Sequence, residues 1–269
     1  ETEASDENVL MESRPDRLAR YTHIREAHKA GYDGEEIFNK IFDDCPQLGE
    51  STSVLVGDFA ASLEKTVCEL MNANDHLWRE LDTVVISKND REECEKRMAV
   101  GGDPDELRLL KLQTFFWRSI AKLGDRPFTV RLNKKALEPV NMLVARVNVP
   151  SPNDAVEWLW NKGRRHPLLF TLPSNPTQYH LFLVLRSVPV SGGLRQALLA
   201  LVASLYLFDL SIGTEAADLV GFFYRAADPK KKVLKVPSIP GIVKETLRIV
   251  GLLPRPTPKP PRTKKTRAQ

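Results

Sequence analysis

The segment Leu194 to Leu210 constrains this chain most, because it is apolar on nearly every helical face and holds the longest apolar run, Ala197 to Phe208, closed by Asp209. That run is shorter than the roughly 18 to 20 residues a helix needs to cross a bilayer, so the sequence predicts no membrane span. A helix with no polar face has to be covered on every side. Two coverings satisfy this: the rest of the chain closes around it as the centre of a core, or another protein seals part of it. In the second case Leu198, Leu201, Leu205 and Phe208, spaced along one face, form a partner-binding row.

The chain has the means to build a core. Its 269 residues are 42% hydrophobic and 28% charged, which excludes a wholly disordered polypeptide, and Gly 14 with Pro 19 excludes a collagen-like one.

Apolar periodicity places helices in the first half of the chain. A short one runs from about Arg17 to Ala30, and another from Gly34 to Asp43 aligns Ile37, Ile41 and Phe42 before Pro46. From Ser53 to about Asp82, Val56, Phe59, Leu63, Val67, Leu70, Leu77 and Leu81 recur three and four apart, which predicts one long helix with a skipped turn at Asn74. Lys88 to Met98 is short and highly charged. Asp103 to Leu123 opens with Asp103 as N-cap, Pro104 at N1 and Glu106 at N3, and carries Leu109, Leu112, Phe116 and Ile120 in one row.

After Gly124 the vocabulary changes to short β-branched runs separated by Pro and Asn. Strands are expected at Phe128 to Leu132, Asn141 to Val149, Leu168 to Leu172 and Tyr179 to Val188, with Pro173 to Pro176 as a turn. A helix from Asn153 to Asn161, capped by Ser151 or Asn153 and ended by Gly163, lies between the second and third strands. Further helices are expected at Thr214 to Ala227 and Ile242 to Leu252, with an edge strand at Lys231 to Val236. The fold class is therefore helix-rich α+β: an acidic extended arm (1–16), a helical module (17–124), a smaller mixed α/β module (125–253) and a basic Pro-rich tail (254–269).

Charge is distributed unevenly. From Pro229 onward twelve bases face the single acid Glu245, a net +11 that leaves −7 in the rest of a chain whose total is +4. The first dozen residues hold Glu1, Glu3, Asp6, Glu7 and Glu12 and no base, and prolines at 254, 256, 258, 260 and 261 favour an extended backbone in the tail. Such polarity marks an interaction segment. Its expected partner-binding residues are Lys230, Lys231, Lys232, Arg255, Lys259, Arg262, Lys264, Lys265 and Arg267, with Arg164 and Arg165 as an extension. Against RNA these bases would neutralise phosphates. Against protein the strand would lie along an acidic or aromatic groove. The acidic body and the lack of tail aromatics favour protein.

Motifs that carry chemistry are sparse. Neither a GxxxxGK[ST] nor a GxGxxG phosphate loop occurs, and Ser191-Gly192-Gly193 reads as a turn. SxxK occurs at Ser62/Lys65 and Ser119/Lys122 without the companion motifs of a β-lactamase-type site. His23 and His28 are five apart, which splays them around a helix, and Cys45, Cys68 and Cys94 have no paired spacing, so neither a metal site nor a redox pair is expected. The pairs Asp43/Asp44, Glu92/Glu93 and Asp105/Glu106 read as helix-end acids, and Asp209 as an acid at the edge of the core.

These features point to a non-catalytic accessory subunit of a large multisubunit assembly, with no cofactor and no small-molecule substrate. The expected setting is a mitochondrial energy-converting complex, a respiratory complex or ATP synthase. The start at Glu1 fits a leader already removed or a longer precursor. The alternative is a mitochondrial ribosomal protein that contacts rRNA through its basic C-terminal region.

Overall fold

The computed structural model describes residues 46–73, 88–99, 106–115, 130–132, 135–137, 143–183, 185–208 and 217–228, with 19, 21–23, 26, 39, 42–43, 75, 78–79, 210, 230 and 234. The acidic arm, the basic tail, the helix expected at Ile242 to Leu252 and the opening residues Asp103 to Asp105 lie outside these residues.

The elements are α1 (Gln47–Glu50), α2 (Thr52–Ser62), α3 (Val67–Ala73), α4 (Lys88–Ala99), α5 (Glu106–Phe115), β1 (Val130–Leu132), β2 (Lys135–Leu137), β3 (Val144–Arg146), α6 (Pro152–Asn161), β4 (Leu168–Leu172), β5 (Asn175–Phe182), β6 (Ser187–Pro189), α7 (Leu194–Leu207) and α8 (Ala217–Ala227). The protein is helix-rich α+β, as its periodicity predicts. β1 and β2 form a two-stranded antiparallel pair, and a second sheet has the order β3-β4-β5-β6. β3 and β4 are parallel, joined through α6, whereas β4, β5 and β6 run as an antiparallel meander.

Alternation along β4 divides the core. Leu168, Phe170 and Leu172 join Phe182, Val147 and the Ala155, Val156 and Leu159 row of α6 in one buried cluster. Leu169 points to the opposite face, where Tyr179, Leu181 and Val188 meet α7 in a larger cluster. The sheet is thus covered by α6 on one side and α7 on the other. This explains why β4, alone among the strands of its sheet, is buried at every position.

α7 is the centre of the larger cluster. Only Arg195, Gln196 and Tyr206 of its fourteen residues escape full burial. Leu198, Leu201 and Phe208 are each 0% exposed and Leu205 is 3% exposed. The row read as a partner surface is therefore covered by this chain itself. α2 packs along α7 through Leu55 and Phe59, and Tyr21, Phe42, Leu109 and Leu112 enter the same cluster. Side chains from before and after residue 124 therefore share one buried core.

The single helix expected from Ser53 to Asp82 is interrupted: α2 ends at Ser62 and α3 begins at Val67, with 75, 78 and 79 also helical among the described residues. The Lys65 amide donates to the Ala60 carbonyl at 3.0 Å and the Glu64 amide to that of Ala61 at 3.1 Å, while Glu64 takes φ 58°. This is a Schellman ending with a non-glycine residue at the left-handed position. Thr66 then restarts the chain: its Oγ1 accepts from the Glu69 amide at 3.1 Å, and Glu69 Oε2 accepts from the Thr66 amide at 2.7 Å. That reciprocal capping box lies hidden inside the apolar periodicity.

The run Tyr179 to Val188 also divides. β5 ends at Phe182, Leu185 takes φ 52°, and β6 returns antiparallel with Leu181 opposite Val188. β5 begins earlier than expected, at Asn175, so Pro176 belongs to the strand and the turn contracts to Pro173-Ser174. Ser151 caps α6 by accepting from the Asp154 amide at 3.2 Å, with Pro152 in the first turn. Gly163 ends α6 at φ 82°, where the Arg164 amide reaches the Leu159 carbonyl at 2.9 Å.

Candidate functional site

The basic C-terminal region has a fixed root. α8 ends in a local cap, in which the Asp228 amide donates to the Tyr224 carbonyl at 2.8 Å. The Asp228 carboxylate turns back and accepts from the Leu234 amide at 3.1 Å, and Leu234 is 3% exposed in the α7 cluster. Between those two anchors Lys230 is exposed. Lys231, Lys232, Arg255, Lys259, Arg262, Lys264, Lys265 and Arg267 lie outside the described residues. What the geometry supplies is an anchor near the start of the +11 segment: the buried Asp228 carboxylate just before it and the buried Leu234 six residues on.

A second basic surface forms at the end of α6, where helix geometry leaves carbonyls free to accept. The Arg165 guanidinium lies 3.6 Å from the Trp160 ring centroid and donates from Nη1 to the Trp160 carbonyl at 2.9 Å. Lys162 Nζ lies 5.9 Å from the Trp158 ring. Both cations face outward over half-buried indoles, a favourable arrangement at a helix C-terminus. Arg164 behaves otherwise. It is 6% exposed, and its Nε and Nη2 donate to the carbonyls of His166 and Pro167 at 2.6 and 2.7 Å. Arg164 therefore braces the turn into β4 and supplies no outward charge, which corrects its reading as part of the basic surface. The pairing of Trp158 and Trp160 with Lys162 and Arg165 went unread, although Trp-Leu-Trp-Asn-Lys-Gly-Arg-Arg is visible in the sequence.

The described residues with catalytic side-chain chemistry do not converge on one site. Ser62 Oγ donates to the Phe59 carbonyl at 2.7 Å, which turns the hydroxyl back onto its own helix. Ser119, Lys122, His28, His76 and Asp209 lie outside the described residues. His23 is exposed and 4.0 Å from Glu26, and Asp43 is exposed. Among the described residues no group of three or more His, Cys, Asp or Glu side chains is placed to hold a metal. Cys68 is an exposed free thiol.

One polar pair arises across strands. His180 Nδ1 and Ser187 Oγ are 3.0 Å apart, and the imidazole stacks on Phe170 with centroids 5.3 Å apart. Burial pushes the His180 pKa below its ordinary value. Among the described residues no carboxylate hydrogen-bonds this imidazole, so the orienting third member of a nucleophilic triad is missing there. At the other end of the core, Arg195 of α7 bonds the Met71 carbonyl and pairs with Asp75. The hydrogen bond that Arg195 donates to the Asp75 carboxylate holds that carboxyl below the usual carboxylate range. It ties the start of α7 to the end of α3.

Comparison with protein-family models, with curated proteins and with solved structures finds no significant match to this chain. Among the described residues no helix is long and apolar enough to cross a membrane.

Proposed function

We propose that this chain is a non-catalytic accessory subunit that docks onto an acidic protein partner through its basic C-terminal segment. The observation that carries this reading is the Asp228–Leu234 anchor. It anchors the start of the region from Pro229 onward, net +11 against −7 in the rest of the chain, to the buried core. The exposed Lys230 stands at that point. The buried core around α7 supports a body that is formed before the partner binds.

The assembly proposed is a mitochondrial energy-converting complex, and this address rests on the sequence. Crosslinking mass spectrometry on native material, with full-length protein, tests the whole reading. Reproducible crosslinks from Lys230, Lys259, Lys264 and Lys265 to acidic segments of one protein, unaffected by ribonuclease, support it. Loss of all contacts after ribonuclease supports the rRNA-binding reading instead. A monomer with no tail crosslinks overturns both. Subcellular fractionation of the tagged full-length chain tests the address.

A further inference from the structure

We propose that Arg146 and Thr171 form a binding site for a small oxyanion, a phosphate or a carboxylate, at the carboxyl ends of the parallel strands β3 and β4. The two residues are direct partners across the parallel ladder. They follow Val144 and Leu169, which are themselves paired and lie in the α7 cluster, so alternation puts Arg146 and Thr171 on that same face of the sheet.

Both residues carry an unmet hydrogen-bonding group. Thr171 is 0% exposed, and its Oγ1 has no hydrogen-bond partner. The Arg146 Nε is equally inaccessible and equally unpaired. Buried polar atoms in folded proteins are satisfied in the great majority of cases, so two neighbouring exceptions need a physical explanation. The Nε edge of a guanidinium is one of the edges that binds carboxylate or phosphate in a bidentate fork. A hydroxyl beside it adds a further donor. An oxyanion reaching between the two paired residues would satisfy both groups at once and bring Arg146 a negative charge, which no carboxylate among the described residues supplies.

Topology supports this position independently. β3, α6 and β4 form a βαβ unit, and in such units ligands gather outside the carboxyl ends of the strands. Arg146 is the last residue of β3 and Thr171 the penultimate residue of β4. Arg146 is half-buried as a residue, although its Nε is not accessible. The proposal rests on residues other than those of the proposed tail interface and does not depend on how that segment binds.

Isothermal titration calorimetry of the full-length protein at constant ionic strength, with inorganic phosphate in one arm and acetate in the other, tests the proposal. The expected result is saturable one-site binding in at least one arm, weakened at least tenfold in both Arg146→Gln and Thr171→Val; the stronger arm identifies the oxyanion. Thr171→Val keeps the side-chain shape, and an unchanged circular dichroism spectrum establishes that it folds. Arg146→Lys retains the charge without the fork and is expected to weaken binding as well. Absence of saturable binding in both arms, or binding by the Gln and Val variants equal to the parent chain's, overturns the proposal; the latter assigns the heat to other basic groups.

Discussion

The Tyr21 hydroxyl donates a 2.7 Å hydrogen bond to Oδ2 of Asp58, and both residues are 1% exposed. The bond joins the N-terminal helical region to the buried face of α2 across 37 residues of chain. Tyr21 also meets Phe208 edge-on at a centroid distance of 5.7 Å, so one side chain links Asp58 to the end of α7. A carboxylate in a core is tolerated only when hydrogen-bonded. Tyr21→Phe keeps the ring and removes the donor. It is expected to destabilise the protein by about 1–3 kcal/mol, the cost of taking a hydrogen-bond partner from a buried polar group. Urea denaturation followed by circular dichroism measures this; an unchanged midpoint refutes the role.

The break between α2 and α3 gives a prediction of opposite sign. Glu64 holds φ 58°, a left-handed conformation that costs a non-glycine residue about 1–2 kcal/mol. Glu64→Gly relieves that cost and loses part of the gain to backbone entropy in the unfolded chain. Net stabilisation of about 0.5–1 kcal/mol is expected, with a higher thermal midpoint. If the two helices were one, the same change would destabilise the protein, so the sign of the shift decides.

Thr66 and Glu69 extend the argument to pH. The backbone and side-chain hydrogen bonds from Thr66 hold the Glu69 carboxyl below its ordinary value of 4.5. A depressed carboxylate stabilises the fold above its unfolded pKa, and that contribution is lost as pH falls through the folded value. The Glu69 carboxyl carbon is expected to titrate below 4.5 by NMR in the parent chain and to move only part of the way up in Thr66→Ala, which removes the hydroxyl donor and keeps the backbone amide that contributes most. Equal titration in both proteins would break the link.

These elements also explain what was legible in the sequence. The all-round apolarity of Leu194 to Leu210 announces a buried helix, and Ser151, Pro152 and Gly163 mark the limits of α6 by their own chemistry. The α2–α3 break was missed because Val67 and Leu70 fall near the continued helical register of Phe59 and Leu63, so periodicity carries no trace of the turn. Thr66-Val67-Cys68-Glu69 was the available signal. The Tyr179 to Val188 run hid a hairpin for a related reason: Leu181, Phe182, Leu183 and Val188 are all apolar, and Leu185 occupies a left-handed position where glycine is the usual mark. The Arg146–Thr171 pairing depends on strand register, which neither local segment encodes.

His180 carries the second pH dependence. Its folded pKa lies below its ordinary value of 6.5 because burial penalises the imidazolium. The unfolded chain therefore binds this proton first, and stability rises with pH through the window. The contribution is complete above 6.5 and is lost as pH falls from there through the folded value. His180→Phe preserves stacking on Phe170 and is expected to flatten the slope of melting temperature against pH below 6.5. An unchanged slope would place the effect on other groups.

The last prediction separates the two coverings open to α7. If Leu198 and Leu201 were a partner surface, trimming them would weaken an association and leave the isolated chain as stable as before. Both are 0% exposed, and the cluster around them contains Leu55 and Phe59 of α2 and Tyr179 and Leu181 of β5. Leu198→Ala and Leu201→Ala each remove apolar contact and leave a cavity that close-packed neighbours only partly fill. The expected cost is about 2–5 kcal/mol per substitution. That loss must be seen in purified protein at any concentration, since no second molecule is involved. Denaturation midpoints at two protein concentrations differing tenfold provide the check. A loss that varied with concentration, or no loss at all, would return this helix to an interface.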